Sequence, residues 1–544
     1  MNHARSYCFL LLLAVLYPSS GICGNMKADK PGQPKHGWED EIFYQIFPRS
    51  FYDSNGDGIG DFNGIREKLD YLQELGVTAI WTTPILKARC YHNYYVDSFD
   101  SLDPAFGTWD DWIGLVKDMH RRGMKIFLDM EPQYVTDHHP WYLDSYKNPS
   151  SKYSAYLWYE DSLNEKIQMR NLGTYNKDRI GILPLRMNNP QVLAAVTALF
   201  RKFADPNGDG KFDDGVDGFR IDHMMDDLDH RGKSVNLNAT FWKPLFDDLR
   251  KLNPDIFFVA EQADWGFGAD ALTKGDADGV FAFPEWWGTT SFSKKRLLGL
   301  IDTTWMKTPP GKHQFTFIEN HDVDRYASQV GGDPGKERIG AALNIFLKGI
   351  PTLYYGQEIG MRGKKGQWRS DGNDIPLREA FKWNKSASGK GMALWYANSG
   401  VWWDQTNLHP DDGTSLEEEI RDSSSLWYFY KNLIGLRTNL LPLRRGEYVV
   451  CSNNNDSVVS FGRECLDGEQ SHPVVVILNL SPAVQNVVVQ TGQLHRKVQE
   501  RVGTDEITGK LLPEGADNGK GSVSLVLSPY EVVLIDCWRV KARQ

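Results

Sequence analysis

Three carboxylates carry the chemistry this chain could perform: Asp222 in "GFRID", Glu261 in "FFVAE" and Asp322 in "FIENHD". Each closes or follows a short apolar, β-rich run, so each would sit at the C-terminal end of a strand. Arg220 lies two residues before Asp222 and shares its strand face, because side chains alternate with period two. A cation so placed keeps a neighbouring carboxylate ionised. Asp129 ends another such run, "KIFLDM", and His321 directly precedes Asp322. Paired carboxyls, one attacking and one protonating the leaving oxygen, are the recurring apparatus for cleaving a glycosidic bond. Carboxylates converging from separate strands repel one another, which makes a purely structural cluster costly.

Such convergence needs a frame. Apolar, β-rich runs recur at 42–48, 79–84, 125–130, 218–222, 257–261, 279–283, 315–320 and 350–356. Between most of them lie amphipathic segments such as "GIREKLDYLQELG" and "WDDWIGLVKDMHRRG", with apolar residues three and four apart. Strands alternating with helices predict a parallel sheet, and eight such strands predict a closed α/β barrel, the (β/α)8 TIM barrel. Its chemistry belongs at the C-terminal strand ends. Residues 38–132 and 189–439 would build the barrel. The connection at 133–188, after strand 3, is too long to lack structure of its own and is read as a small inserted domain. From 440 to 544 the pattern turns to strands alone, which predicts a C-terminal antiparallel β-sandwich.

The 544 residues are 41% hydrophobic and 12% aromatic, the profile of a folded globular chain. A net charge of −10 with no long Lys/Arg run argues against nucleic acid as a partner. Abundant Trp and Tyr beside many carboxylates suits a neutral polyhydroxylated ligand, whose apolar ring faces lie on aromatic rings, although a large core also consumes aromatics. Residues 1–23 have the layout of a secretory signal peptide: a basic start, a short apolar run, then Pro and small residues. The expected location is therefore extracytoplasmic: secreted, or periplasmic or surface-anchored in a bacterium. Cys23 offers an N-terminal lipid anchor, although Ile22 before it suits that processing poorly. No other apolar run approaches about 20 residues, so no membrane span is expected. Cys90, Cys451, Cys465 and Cys537 match no metal-binding spacing; a Cys451–Cys465 disulfide and free buried thiols both stay open.

Two loops have the spacing with which an EF-hand-like turn wraps Ca²⁺. In "DSNGDGIGD", Asp53, Asn55, Asp57 and Asp61 supply side-chain oxygens and Ile59 a backbone carbonyl; the closing Glu is replaced by Gly64. "DPNGDGKFD" repeats the pattern with Asp205, Asn207, Asp209 and Asp213, and puts Lys211 at the carbonyl position, where its charge opposes a cation. The first loop is expected to hold a structural Ca²⁺ and the spacing of the second admits another, with Asx-rich turns as the alternative. No organic cofactor is expected.

The motifs "YQIFPRSFYDSNGDGIGDFNGI", "LGVTAIWTTPI", "DPAFGT", "GVDGFRID", "FFVAE", "FIENHD" and "GIPTLYYGQEIGM" follow one another between about residues 40 and 440. Together they resemble the α-amylase superfamily of retaining α-glycosidases, glycoside hydrolase family 13. The resemblance implies Asp222 as the nucleophile that forms a β-glucosyl-enzyme, kept ionised and oriented by Arg220. Glu261 would be the general acid and then the base, which needs a raised pKa. Asp322, with His321 beside it, would bind sugar hydroxyls as the ring flattens, and Tyr94 in "YHNYYVD" would stack under the reacting sugar. Asp129 is kept among the substrate-binding positions. Retention implies carboxyls of Asp222 and Glu261 ~5 to 5.5 Å apart. Members also carry Ca²⁺ or Mg²⁺ in the first loop.

This chain departs from the pattern in places. Gln133 and Tyr134 stand where an Asn-His pair is usual, so a subsite histidine is lost, and Tyr134 offers one hydrogen bond or a stacking face instead. His223 replaces the Val, Ala or Thr that accompanies particular linkage preferences, so the linkage is not legible. The implied activity is exported hydrolysis of α-glucosidic bonds in α-glucans or malto-oligosaccharides. The same residues serve a transglycosylase or sugar isomerase, in which a sugar hydroxyl resolves the intermediate. A non-catalytic glycan-binding relative is the reading from another class, and the intact trio weighs against it.

Overall fold

The computed structural model describes residues 37–465, 472–492, 494 and 521–536. The expected leader at 1–23, with Cys23, and Cys537 lie outside them. The chain begins with β1 (Phe43–Ile46), β2 (Ala79–Thr82) and β3 (Lys125–Met130), then leaves the barrel for β4 (Tyr134–Thr136), β5 (Met169–Gly173) and β6 (Arg179–Pro184). It returns through β7 (Gly218–Met224), β8 (Phe257–Gln262), β9 (Gly279–Phe281), β10 (His313–Thr316) and β11 (Ile350–Tyr354). Eight parallel strands close in the order β1-β11-β10-β9-β8-β7-β3-β2, each overlapping one of the apolar runs, although β10 starts at His313 and shares only residues 315 and 316 with the run expected at 315–320. The excursion forms its own three-stranded antiparallel sheet, ordered β4-β6-β5.

Inward-facing Phe43, Trp81, Phe127, Phe257, Phe281 and Phe315 fill the barrel, and Trp38 packs on Phe127 and Phe257. This is a packed interior rather than a pore. β7 enters it through Gly218, where a Cβ would lie 2.5 Å from both the Phe127 ring and the Phe257 carbonyl. Only glycine lets the site-bearing strand come that close.

Helices follow from periodicity and capping. Trp109–Arg121 starts at a capping box in which Thr108 and Asp111 bond each other's backbone N–H. The stretch expected as one helix at 64–76 is two, Phe62–Glu67 and Leu69–Leu75, divided at Lys68 and ended by Gly76 at φ +98°. Lys68 Nζ sits 3.9 Å from the Tyr52 ring centroid.

The C-terminal part contains β12 (Glu447–Val450), β13 (Val458–Glu464), β14 (Val474–Asn479), β15 (Gln485–Gln490), β16 (Ser522–Leu527) and β17 (Val532–Asp536). They form an antiparallel sheet, β12-β13-β14-β17, and an antiparallel pair, β15-β16. Val475, Ile477 and Val533 of the first share a core with Val487, Val489 and Leu525 of the second. Cys90, Cys451 and Cys465 are free thiols. No helix among the described residues is long and apolar enough to cross a membrane.

Candidate active site

β3, β7 and β8 are neighbours, and their register sets Asp129 opposite Arg220 and Arg220 opposite Val259. The Arg220 guanidinium is 2% exposed and ties three carboxyls together. Nη1 donates to both Asp129 oxygens at 2.9 Å and to Asp222 Oδ1, and Nη2 lies 2.9 Å from Glu261 Oε2. Its plane faces Trp81, with Cζ 5.2 Å from the ring centroid.

The end of β7 is bulged. Ile221 pairs with Ala260 and Met224 with Gln262, so three steps on β7 match two on β8, and His223 takes φ +42°. A bulge re-aims side chains that strict alternation would send to opposite faces. Asp222 and His223 therefore line the same cavity. Gln133, fully buried, donates to the backbone carbonyls of Asp222 and His223 and pins the bulge from β3's side.

Beyond β10, Asn320 accepts from the backbone N–H of Asp322 and Val323, an Asx turn that presents His321 and Asp322. Gln45 donates to His321 Nδ1 at 2.7 Å, and Nε2 faces Tyr94 Oη at 2.5 Å and Asp322 Oδ2 at 3.1 Å. Burial pushes His321 down to about 3, so the ring is neutral and carries its proton on Nε2. Tyr94 Oη donates a hydrogen bond to Asp129 Oδ2 at 2.8 Å, and its ring stacks on His321. Arg378 donates to Asp322 Oδ1 at 2.9 Å and to the His321 carbonyl.

The resulting cavity, about 310 Å³, is lined by Tyr94, Asp222, Glu261, His321 and Asp322 from the expected set. His92, Glu131, His223, Trp265, Lys365 and Arg378 also line it. Asp129 and Arg220 do not line it; they stand behind its wall as positioning groups. Tyr134 opens instead onto an adjoining cavity of about 210 Å³ beside the inserted sheet and donates to Asp229. Trp265 Nε1 donates to Glu261 Oε1 at 3.1 Å. Among the residues missed from sequence, Glu131 had a signal: it follows Asp129 by two and so shares its strand face. Arg378 had none, lying far beyond the last barrel strand.

The electrostatics separate Asp222 from Glu261, two of the three carboxyls bound to Arg220. Burial pushes Asp222 up, but Arg220 and His223 outweigh it and hold the carboxyl below its ordinary value. Burial carries Glu261 up to about 7, against the pull of Arg220 and with a further push from Asp222. Burial also raises Asp322, yet the hydrogen bond from His321 Nε2 and the charge of Arg378 bring it well below the usual range. One carboxylate poised to attack and one carboxylic acid poised to donate form an acid/nucleophile pair.

The loops place their residues differently from the simple spacing. Asp53 accepts from Gly56 and Gly58 N–H, Asn55 from Asp57 and Asp57 from Ile59, while Asp61 is taken up by Ser54 and by capping Gly64. In the second loop Asp205 and Asp214 each keep one buried oxygen without a partner. Asn207 donates to Asp214 at 2.8 Å, Lys211 lies 3.5 Å from Asp209, and Asp213 is exposed.

A barrel that holds an ionised and a protonatable carboxyl on one guanidinium, at the mouth formed by its strand ends, is a glycoside-hydrolase frame. The family described as "Alpha amylase, catalytic domain" matches residues 45–261 and 281–446, and the chain belongs to that alpha-amylase family of glycoside hydrolases. It is 28% identical over 513 residues to alpha-amylase 3 of Dictyoglomus thermophilum, covering 92% of this chain and 93% of that one. It is 27% identical to an oligo-1,6-glucosidase of Parageobacillus thermoglucosidasius, with 82% and 90% covered. A 4-alpha-glucanotransferase of Thermotoga maritima is 28% identical, with 71% and 84% covered. Among solved structures, an alpha-amylase from H. orenii superposes with TM-score 0.71 at 25% identity over 91% of this chain and 99% of that one.

Proposed function

We propose that the protein is a retaining α-glycosidase that hydrolyses α-glucosidic bonds in α-glucans or malto-oligosaccharides through a covalent glycosyl-enzyme. The observation that carries this reading is the shared guanidinium of Arg220, with Asp222 held ionised and Glu261 held protonated beside it. Asp222 attacks the anomeric carbon while Glu261, oriented by Trp265 Nε1, protonates the departing oxygen. Water then enters, Glu261 takes its proton, and the bond to Asp222 breaks. Asp322, fixed by Arg378 and His321, accepts hydrogen bonds from the ring hydroxyls as positive charge develops.

Incubation with maltotriose, starch, pullulan and isomaltose, followed by NMR, tests this: the first product should be the α-anomer. Initial β-anomer, or no reaction with any member of the panel, overturns it. The pH profile of kcat/KM is expected to be bell-shaped. The alkaline limb falls through about 7 as Glu261 loses its proton, and the acid limb lies below the ordinary carboxylate value, where Asp222 gains one. In Glu261→Gln the alkaline limb should vanish with activated substrates that need no acid; its persistence would assign the limb to another group.

Transfer to a sugar hydroxyl is a second reading favoured by one observation. The adjoining cavity is walled largely by Tyr95, Tyr134, Met169, Ile182, Pro184 and Met225, surfaces that seat the apolar face of an acceptor rather than water. Rising substrate concentration should then shift products towards longer oligosaccharides.

We also propose structural Ca²⁺ in both acidic loops: at Asp53, Asn55, Asp57 and the Ile59 carbonyl, and at Asp205, Asn207 and Asp209 with Asp214 in the place of Asp213. The partnerless oxygens of Asp205 and Asp214 support the second. EGTA should lower the melting temperature and excess Ca²⁺ restore it, since saturation at a hundredfold over Kd stabilises by about 2.7 kcal/mol. Unchanged melting rejects both sites. The apolar run in 1–23 supports export, which secretion of a tagged full-length chain would test.

A further inference from the structure

Glu131 is the buried acid in this site that the hydrolysis leaves idle. It is 6% exposed, lines both cavities, and its Oε2 has no hydrogen-bond partner. Its Oε1 lies 3.8 Å from His223 Nδ1, and that nitrogen lies 3.4 Å from Asp222 Oδ2. One ligand atom from each of Glu131, Asp222 and His223 falls within 4.8 Å of the other two, the single such triad of His, Cys, Asp or Glu among the described residues. The backbone that carries it is fixed: Gln133 holds the carbonyls of Asp222 and His223, and the His223 N–H lies 3.3 Å from Glu261 Oε2.

We propose that Glu131, Asp222 and His223 bind a divalent transition-metal ion of the zinc class, and that this ion reversibly inhibits the enzyme by occupying its nucleophile. His223, a cation beside Asp222 in the metal-free site, gives its Nδ1 proton to solvent as the ion replaces it. The resulting imidazole nitrogen with two carboxylates is a borderline donor set that suits Zn²⁺, whereas Ca²⁺ and Mg²⁺ prefer more numerous, all-oxygen ligands. Ligand atoms about 2.0 Å from a tetrahedral ion stand roughly 3.3 Å apart. The observed separations of 3.4 and 3.8 Å are therefore closed by small side-chain rotations. The cavity gives the fourth position to water. The ion also answers the buried carboxylate oxygen that nothing in the protein satisfies. Because Asp222 donates its electron pairs to the metal, attack on a sugar and metal binding exclude each other.

The test uses the full chain, free of histidine tags and treated with EDTA, titrated with CoCl2. One equivalent should produce the intense visible absorption of four-coordinate Co²⁺, which excess CaCl2 leaves in place and one equivalent of ZnCl2 removes. The six-oxygen environment of the acidic loops would give only a weak band. Zn²⁺ should inhibit turnover competitively with substrate, and EDTA should reverse it. His223→Gln and Glu131→Gln, each confirmed as folded by circular dichroism, should lose the cobalt band and raise the zinc inhibition constant at least tenfold. A wild-type protein without the band, or zinc inhibition unchanged in both variants, overturns the site. The absorbance is independent of turnover, so a chain that binds cobalt but cleaves no glycoside would defeat the proposed function and leave the metal site standing.

Discussion

Asp222→Asn is expected to lower kcat on α-linked oligosaccharides by about 10⁴-fold or more, the scale of loss when a covalent nucleophile is removed. The amide matches the carboxylate in size but cannot form the ester bond to the anomeric carbon. KM should move far less, because Tyr94, Asp322 and Arg378 still line the cavity. Two further variants separate nucleophile from acid. In Asp222→Ala, azide can enter the space the carboxylate leaves and attack from that face, so an activated α-glucoside should yield the β-glucosyl azide. In Glu261→Ala the intermediate still forms from such a substrate, and azide then attacks it from the other face to give the α-glucosyl azide. Reversed stereochemistry would exchange the two assignments, and wild-type turnover by Asp222→Asn would end the double-displacement proposal.

The barrel was legible because its signal is redundant. Eight apolar runs of similar length, separated by segments of period near 3.6, admit few architectures, and all eight became strands. The residues at strand ends were legible for the same reason: a strand of known direction delivers its last side chains to one rim. What was hidden depends on departures from regularity. Strict alternation sends His223 away from Asp222, and only the bulge, visible as an extra residue in the β7–β8 register, brings both to one cavity. Counting from Asp129 gave Tyr134 as a subsite residue offering a hydrogen bond or a stacking face, without saying which cavity it would line. The chain turns into β4 at that point, which carries Tyr134 to the adjoining cavity beside the inserted sheet and leaves Gln133 as a backbone clamp. Arg378 belongs to a segment after β11 with no periodicity, and only the folded chain shows it against Asp322. In the second acidic loop the spacing names Asp213, which is exposed, while burial of its neighbour Asp214 could not be read by counting.

Arg220→Met is expected to damage stability and catalysis together, with a pH signature that packing alone does not give. The methionine fills part of the volume against Trp81, but Asp129, Asp222 and Glu261 then face one another, all buried, without the guanidinium and with only His223 left as a cation beside Asp222. Removing one partner of a buried ion pair typically costs about 3–5 kcal/mol because the remaining charge is uncompensated. The protein has a second way to respond, since these acids can take up protons. Burial holds Asp129 at about 8 and Glu261 at about 7 even with Arg220 in place. Without it both rise further and Asp222 loses its strongest downward pull, which widens the window between the unfolded carboxylate value of about 4 and the folded values. A folded state that binds more protons than the unfolded one loses stability as pH rises through that window. The gap in melting temperature between wild type and Arg220→Met should therefore be small near pH 4 and widen towards about pH 8. The acid limb of kcat/KM should shift upward, because Asp222 must now lose its proton without the guanidinium. A melting gap constant across pH, with the acid limb unmoved, would mean that Arg220 fills space and that Asp222 owes its ionisation to His223 alone.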